Sequence, residues 1–178
     1  MENSIHILET QGLDPKVGKL FAMLEINRRR LHDTLKGVTD EMMDYTPSSA
    51  NVESIATLLD HIAAVEWSWI FEDIDGLKMD EEEWKFAFAN RSWSNVDQRL
   101  GMGKDFYLSK LQTVRNDVRH RLENMKDNEL TNLIVSSDDE DETLFSIEWI
   151  FFHLTNHEAL HLGQISLLKR LYKNTVGT

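Results

Sequence analysis

Three histidines recur at four-residue spacing near the end of the chain. His153, His157 and His161 lie in HLTNHEALHLGQ, residues 153–164. On a helix, residues four apart share a face, so two such imidazoles can bind one divalent metal from the same side. All three cannot share an ion, because a helix rises about 12 Å over eight residues, whereas a metal–nitrogen bond is only about 2 Å long. One pair therefore binds the metal, and the spacing does not decide which.

The same stretch contains HEALH, which matches the zinc-peptidase signature H-E-x-x-H. Such peptidases take a third ligand, a Glu or a His, from further along the chain. Residues 162–178 contain no His, Asp or Glu. On a straight helix, Glu158 also points about 100° away from His157. A zinc peptidase is therefore a remote alternative.

A di-iron carboxylate bundle is disfavoured as well. Such a site needs two Glu-x-x-His pairs, and EALH (158–161) is the only one in the sequence.

A third ligand must come from upstream, and His61 is the candidate. It falls three residues after Leu58 and four before Val65, on the inward face of a predicted helix. A lone inward histidine is usually an ordinary core residue. Burying several imidazoles without a partner is costly, however, so the i,i+4 pair elsewhere favours a mononuclear metal site. Three neutral imidazoles leave open coordination positions and suit Zn, Ni, Fe(II) or Cu.

Amphipathic helices must position these histidines. Apolar residues recur at three- and four-residue spacing in four segments, which predicts long helices over about 15–37, 54–74, 104–125 and 146–172. Asp14-Pro15 and Ser54 are typical helix starts. We expect at most one helical turn in 39–53, a short helix in 75–101, and a loop or small hairpin in 131–147. The prediction is an all-α, four-helix bundle with long crossover connections, forming one domain over residues 1–178.

Composition narrows the function classes. The chain has 178 residues, a formal net charge of -12 and no cysteine, so disulfides and thiolate metal sites are excluded. An acidic surface repels phosphate backbones, which disfavours nucleic-acid binding. The basic run RRR (28–30) is interpreted as a solvated helix face. The N-terminus lacks the features of a signal peptide, and no apolar run is long enough to span a membrane. We expect a cytoplasmic protein without a membrane partner.

The segments LLDHIAAVEWSWI (58–70) and HLTNHEALHLGQISLLKRL (153–171) resemble the DinB/YfiT superfamily of metal-binding four-helix bundles. VTDEMMDYTPSSANVESIATLLDH (38–61) is similar to the family's lead into its second helix. In that family, one histidine of the second helix joins a His-x-x-x-His pair in the last long helix, followed by one residue and Gly-Gln. The resemblance implies the metal ligands His61, His157 and His161. Leu162 departs from the pattern, since many relatives carry arginine there.

The resemblance also implies roles for the neighbouring residues and a range of functions. His153 is then a packing residue or a residue that supports the ligands. Gln164 either orients a ligand or forms a hydrogen bond between two helices. Trp67 and Trp69 either line a substrate pocket or pack in the core. The implied cofactor is one divalent transition metal, Zn or Ni first, with Fe or Mn as alternatives. Relatives include metal-dependent hydrolases and transferases that use a low-molecular-weight thiol such as bacillithiol or mycothiol.

We therefore predict a metal-dependent thiol S-transferase or hydrolase acting on a small molecule. The alternative is a non-catalytic metal-binding or stress-response protein. A homodimer is consistent with the family. No residue is identified as catalytic by its spacing.

Overall fold

The computed structural model describes residues 7–47, 52–88, 99–136 and 143–176. The chain is all-α, as predicted. Its helices in these ranges are α1 (Pro15–Thr34), α2 (Asp40–Met43), α3 (Ile55–Trp67), α4 (Glu81–Trp84), α5 (Lys104–Leu122) and α6 (Ile147–Val176). A short antiparallel pair, β1 (Leu133–Val135) and β2 (Leu144–Ser146), is joined to α6, with Ile134 opposite Phe145. Residues 131–147 thus contain the predicted hairpin, while residues 137–142 of its acidic tip lie outside the described ranges.

The four long helices form one packed core. α1 packs on α6, α6 on α3, and α3 on α5. The apolar stripes that predicted the helices are the surfaces that meet, because each stripe can leave water only against another. The stripe of α5 is buried along its whole length, and each fully buried aliphatic side chain contributes about 1.5–3 kcal/mol. None of the described helices combines the length and apolarity needed to cross a membrane.

Two helix starts follow the predicted signals. Ser54 Oγ accepts a hydrogen bond from the amide of Thr57, which caps α3. Asp14 is the N-cap of α1 and Pro15 its first residue. The amides of Lys16 and Val17 donate instead to Asp127 Oδ1, at 2.9 and 3.1 Å. The start of α1 is therefore capped by a residue 111 and 110 positions away from the two amides, which no local pattern predicts.

α3 continues into a wide turn that the sequence did not reveal. Residues Ser68–Ile74 form a π-helix, where a single α-helix to about residue 74 was expected. π-Helical turns are short and often occur at functional sites. Here the turn carries Trp69 and Asp73 to the wall of a cavity beside His61. The segment 75–101 contains only the one-turn helix α4 among its described residues, and residues 89–98 are not described.

The interpretation of RRR as a solvated face is wrong for one of its three residues. Arg29 and Arg30 are exposed, but only 4% of Arg28 is exposed. Arg28 occupies the inward stripe of α1, four residues after Leu24 and three before Leu31, both of which are buried. Its guanidinium is buried because two carboxylates receive it in the core.

Candidate metal centre

The three predicted ligands converge on one point between α3 and α6. His157 Nε2 lies 3.1 Å from His61 Nε2 and 3.0 Å from His161 Nε2. All three rings offer a nitrogen within 4.8 Å of one another, so the cluster could hold a metal ion. Two nitrogens bound about 2.0–2.1 Å from one metal as adjacent ligands lie about 3 Å apart. The spacing of the imidazoles fits that donor set.

Hydrogen bonds at the far side of two rings fix which nitrogen faces the cluster. His61 Nδ1 donates to the carbonyl oxygen of Ala87 at 3.0 Å. His161 Nδ1 donates to Gln164 Oε1 at 2.5 Å. An imidazole that is neutral and protonated on Nδ1 has a lone pair on Nε2. Both rings therefore direct lone pairs toward His157 Nε2, in the arrangement that orients histidine ligands in metal sites.

Burial keeps two of the three imidazoles neutral. It lowers the pKa of His157 to about 2, and the rings of His161, His61 and His153 add to this effect because protonation would bring like charges together. Burial also lowers the pKa of His161, although the hydrogen bond to Gln164 opposes the shift. Both imidazoles are therefore neutral near pH 7. The neutral ring is the form that binds a metal.

His153 lies outside the cluster, in an aromatic stack. Its ring is stacked on Trp149 at a centroid distance of 5.1 Å and lies 5.2 Å from Trp69. The centroid of His157 is 5.8 Å away. This position agrees with the packing role that the family resemblance implied. Trp67, by contrast, packs against Phe71.

A cavity of about 190 Å³ opens beside the histidines. His61 and His157 form part of its wall. Aromatic side chains and small or polar groups complete it, namely Val65, Ser68, Trp69, Asp73, Phe88, Ser136 and His153. The cavity therefore connects the cluster with space for a small group.

Glu158, the glutamate of HEALH, points away from the cluster and into the core. Its Oε1 accepts from Arg28 Nε at 2.9 Å, and its Oε2 accepts from Arg115 Nη2 at 3.2 Å. Only 2% of the residue is exposed. A carboxylate that is held by two guanidinium groups in the core cannot take a proton from a water at the histidines. The peptidase alternative therefore lacks its general base.

Arg28, Glu66, Arg115 and Glu158 form a closed arrangement that we call the charge ring. Each long helix contributes one member. Arg28 Nη2 also donates to Glu66 at 2.8 Å, and Arg115 donates to both oxygens of Glu66, at 2.5 and 3.0 Å. No side chain of the four is more than 5% exposed. Sequence reasoning missed the ring, although all four members occupy inward helix positions.

Comparison with known proteins agrees with the geometry. No curated protein matches the chain in sequence. The model of one family, described as the DinB superfamily, matches residues 23–165, a range that includes all three clustered histidines. The match covers most of the chain, and the all-α fold agrees with it. The protein belongs to the DinB superfamily.

Proposed function

We propose that the protein binds one divalent transition metal through Nε2 of His61, His157 and His161. The observation that supports this most directly is the pair of Nδ1 hydrogen bonds to Ala87 and Gln164, which turns two lone pairs toward the third nitrogen. His157 Nε2 lies 3.1 and 3.0 Å from the other two nitrogens, the separation of adjacent ligands on one metal ion. Imidazole donors suit zinc, nickel and iron; the family resemblance puts zinc or nickel first and adds manganese as an alternative.

The proposed activity is a metal-dependent thiol S-transfer or hydrolysis on a small molecule. A bound metal would lower the pKa of water or of a thiol and so supply a nucleophile near neutral pH. The aromatic rings of Trp69 and Phe88 would hold the apolar part of the reacting group. A cavity of about 190 Å³ is smaller than the roughly 300–1,000 Å³ of a typical drug-sized site. It therefore suits the reacting end of a low-molecular-weight thiol, with the remainder of the molecule outside.

The metal site is tested by titrating tag-free, metal-free protein with Zn²⁺, Ni²⁺ and Co²⁺ and measuring bound metal by elemental analysis. We expect one equivalent to bind to the wild type. Alanine at His61, His157 or His161 should each remove most of it, because two imidazoles hold a metal far more weakly than three. His153→Ala is the matched control, since His153 is on the same helix but lies outside the cluster, and it should weaken binding much less.

Metal binding can also be measured through the stability of the protein. A ligand at one hundred times its Kd raises the free energy of unfolding by about 2.7 kcal/mol. That rise should occur for the wild type and for His153→Ala, and it should be absent for His61→Ala. If all four histidine variants bind metal as the wild type does, the proposed site is wrong.

The activity is tested on metal-loaded protein with a low-molecular-weight thiol and an electrophilic acceptor, and separately with an activated ester. Turnover that needs the metal and is lost in His157→Ala supports an enzyme. The competing function is a non-catalytic metal-binding protein. Stoichiometric metal binding without turnover on either substrate class favours that alternative.

A further inference from the structure

The charge ring joins the helices that carry the metal ligands. Glu66 is on α3 with His61, and Glu158 is on α6 between His157 and His161. Arg28 of α1 donates to both carboxylates, at 2.8 and 2.9 Å. Arg115 of α5 also donates to both carboxylates. Each guanidinium therefore connects α3 to α6, although neither arginine belongs to those helices.

Such contacts are directional, whereas the apolar contacts around them are not. Burial of aliphatic side chains stabilises any arrangement that removes the same area from water. The planar guanidinium group of arginine, in contrast, has its N–H donors in fixed directions and pairs with carboxylates only in a restricted geometry. A slip of one residue along a helix axis moves a side chain by about 1.5 Å. That displacement would break the contacts of Glu158 and would also separate His157 from His61, which now lie 3.1 Å apart.

The ring is also poorly explained by stability alone. Buried ion pairs can often be replaced by apolar residues of similar volume without loss of stability, and their best-attested use is to fix register. All four members are buried, and the ring carries two positive and two negative charges. Arg28 has a further anchor, since its Nη1 donates to the carbonyl oxygen of Leu111 on α5 at 2.9 Å. One member thus contacts all three of the other long helices.

From these contacts we infer that the charge ring sets the axial register of α3 against α6 and thereby positions His61 opposite His157 and His161. Arg28 and Arg115 are positioning residues that act on the metal site without touching it. This inference rests on the proposed metal site. The same helix α6 would then serve two purposes with adjacent residues: His157 faces the cavity, and Glu158 holds the helix in place.

The test replaces the whole ring by apolar residues of similar size, Arg28→Met, Glu66→Leu, Arg115→Met and Glu158→Leu. This neutral variant should keep wild-type helicity by circular dichroism. Its Kd for Co²⁺ should be at least about tenfold weaker, as is typical when the groups that orient ligands are lost, and the visible spectrum of bound Co²⁺ should change. Val118→Ala is the matched control. Val118 is a fully buried residue of α5, and its loss should lower stability while leaving the Kd and the spectrum unchanged.

A metal-free readout separates the two proposals. In NMR spectra of the apo protein, contacts between the ring protons of His61 and His157 should be present in the wild type and in Val118→Ala but absent in the neutral variant. If the wild type binds no metal, the proposed function fails. If the wild type binds metal and the folded neutral variant shows the wild-type Kd, spectrum and ring contacts, only the positioning role is overturned.

A second variant decides the question if the neutral variant does not fold. Arg28→Lys keeps the charge, but one ammonium cannot reproduce the fork that reaches Glu66, Glu158 and the carbonyl of Leu111. We expect Co²⁺ binding about tenfold weaker than in the wild type, with a changed spectrum. Wild-type binding and spectrum in Arg28→Lys would overturn the positioning role.

Discussion

The histidine cluster and the charge ring both use α3 and α6, but they differ in charge and in access to solvent. The cluster places three imidazole nitrogens close together beside a cavity, and at least His157 and His161 are neutral. The ring is ionised and closed, and each guanidinium reaches both carboxylates. His157 and Glu158 are neighbours in the chain, but they belong to different regions because successive helical residues point about 100° apart.

This difference separates the residues that can bind a ligand from the residues that fix the positions of the helices. A group that is to bind a metal must direct a lone pair toward the site, as Nε2 of His61 and His161 do. A group that fixes geometry is best fully paired, because a half-satisfied buried polar network is costly. The contrast predicts that substitutions in the ring act mainly on folding and register, whereas substitutions in the cluster act mainly on the ligand.

The largest expected effect is Arg115→Leu. It leaves Glu66 and Glu158 buried with Arg28 as their only cation among the ring members. Breaking a buried ion pair in this way costs about 3–5 kcal/mol, a large share of the roughly 5–15 kcal/mol that stabilises a typical domain. Urea denaturation of the metal-free protein measures the change. His157→Ala should cost less in the same assay, because it removes a neutral side chain and leaves no uncompensated charge.

Arg119→Leu is the matched control for that change. Arg119 lies four residues further along α5, its side chain is 29% exposed, and it pairs with Glu123 at 3.2 Å. Surface ion pairs contribute about 0–1 kcal/mol, and the hydrogen bond from Arg119 Nη2 to the carbonyl oxygen of Gln11 adds about 0.5–1.5 kcal/mol, so this variant should lose less stability than Arg115→Leu. Equal losses for Arg115→Leu and Arg119→Leu would remove the distinction between the buried ring and the surface of the same helix.

The sequence predicted the histidine cluster better than it predicted the ring, for a physical reason. Histidines four apart on an amphipathic helix are a local pattern, and the family motif supplies the third ligand. The acceptor of His61 Nδ1 is the carbonyl of Ala87, 26 residues away, in a segment without periodicity. Nothing local identifies such a partner. The same holds for the π-helix after Trp67, which interrupts no apolar stripe.

Part of the ring can be recognised in the sequence from charged residues within apolar stripes. Arg28 continues the three- and four-residue spacing of Leu24 and Leu31, and Glu158 lies four residues after Leu154 and seven before Ile165, on the same helix face. A charged residue inside an apolar stripe predicts a buried partner of opposite sign, because an unpaired buried charge is prohibitively costly. The pattern gives the number and sign of the charges. It does not say which helices meet, and that pairing is what defines the ring.

A smaller loss of stability is expected at acid pH. Burial alone would raise the pKa of Glu66, but the charges of Arg115 and Arg28 and their hydrogen bonds bring it below its ordinary value of 4.5. The unfolded chain therefore binds a proton at a higher pH than the folded chain does. The stability that Glu66 contributes is complete above pH 4.5 and is lost as the pH falls toward the folded-state pKa, by up to about 1.4 kcal/mol per pH unit.

Glu66→Gln tests this assignment. The variant should be less stable than the wild type at pH 7, and its free energy of unfolding should fall less steeply below pH 4.5. Both follow from chemical denaturation at a series of pH values. Glu148→Gln, at an exposed position of α6, is the control for loss of a carboxylate and should follow the wild-type slope. Parallel curves for Glu66→Gln and the wild type would mean that the ring does not hold Glu66 ionised.

The smallest expected effect comes from Glu25, at the solvent edge of the ring. Glu25 Oε1 accepts from Arg115 Nη1 at 2.8 Å, a distance similar to those inside the ring, but its side chain is 42% exposed. Water can replace it, and Arg115 keeps both Glu66 and Glu158. Glu25→Gln should therefore cost less than about 1 kcal/mol, and the loss should shrink further at 1 M salt, where exposed charges are screened. Urea denaturation at low and high salt measures both values. A loss as large as that of Arg115→Leu would mean that distance, rather than burial, decides which contacts of the ring matter.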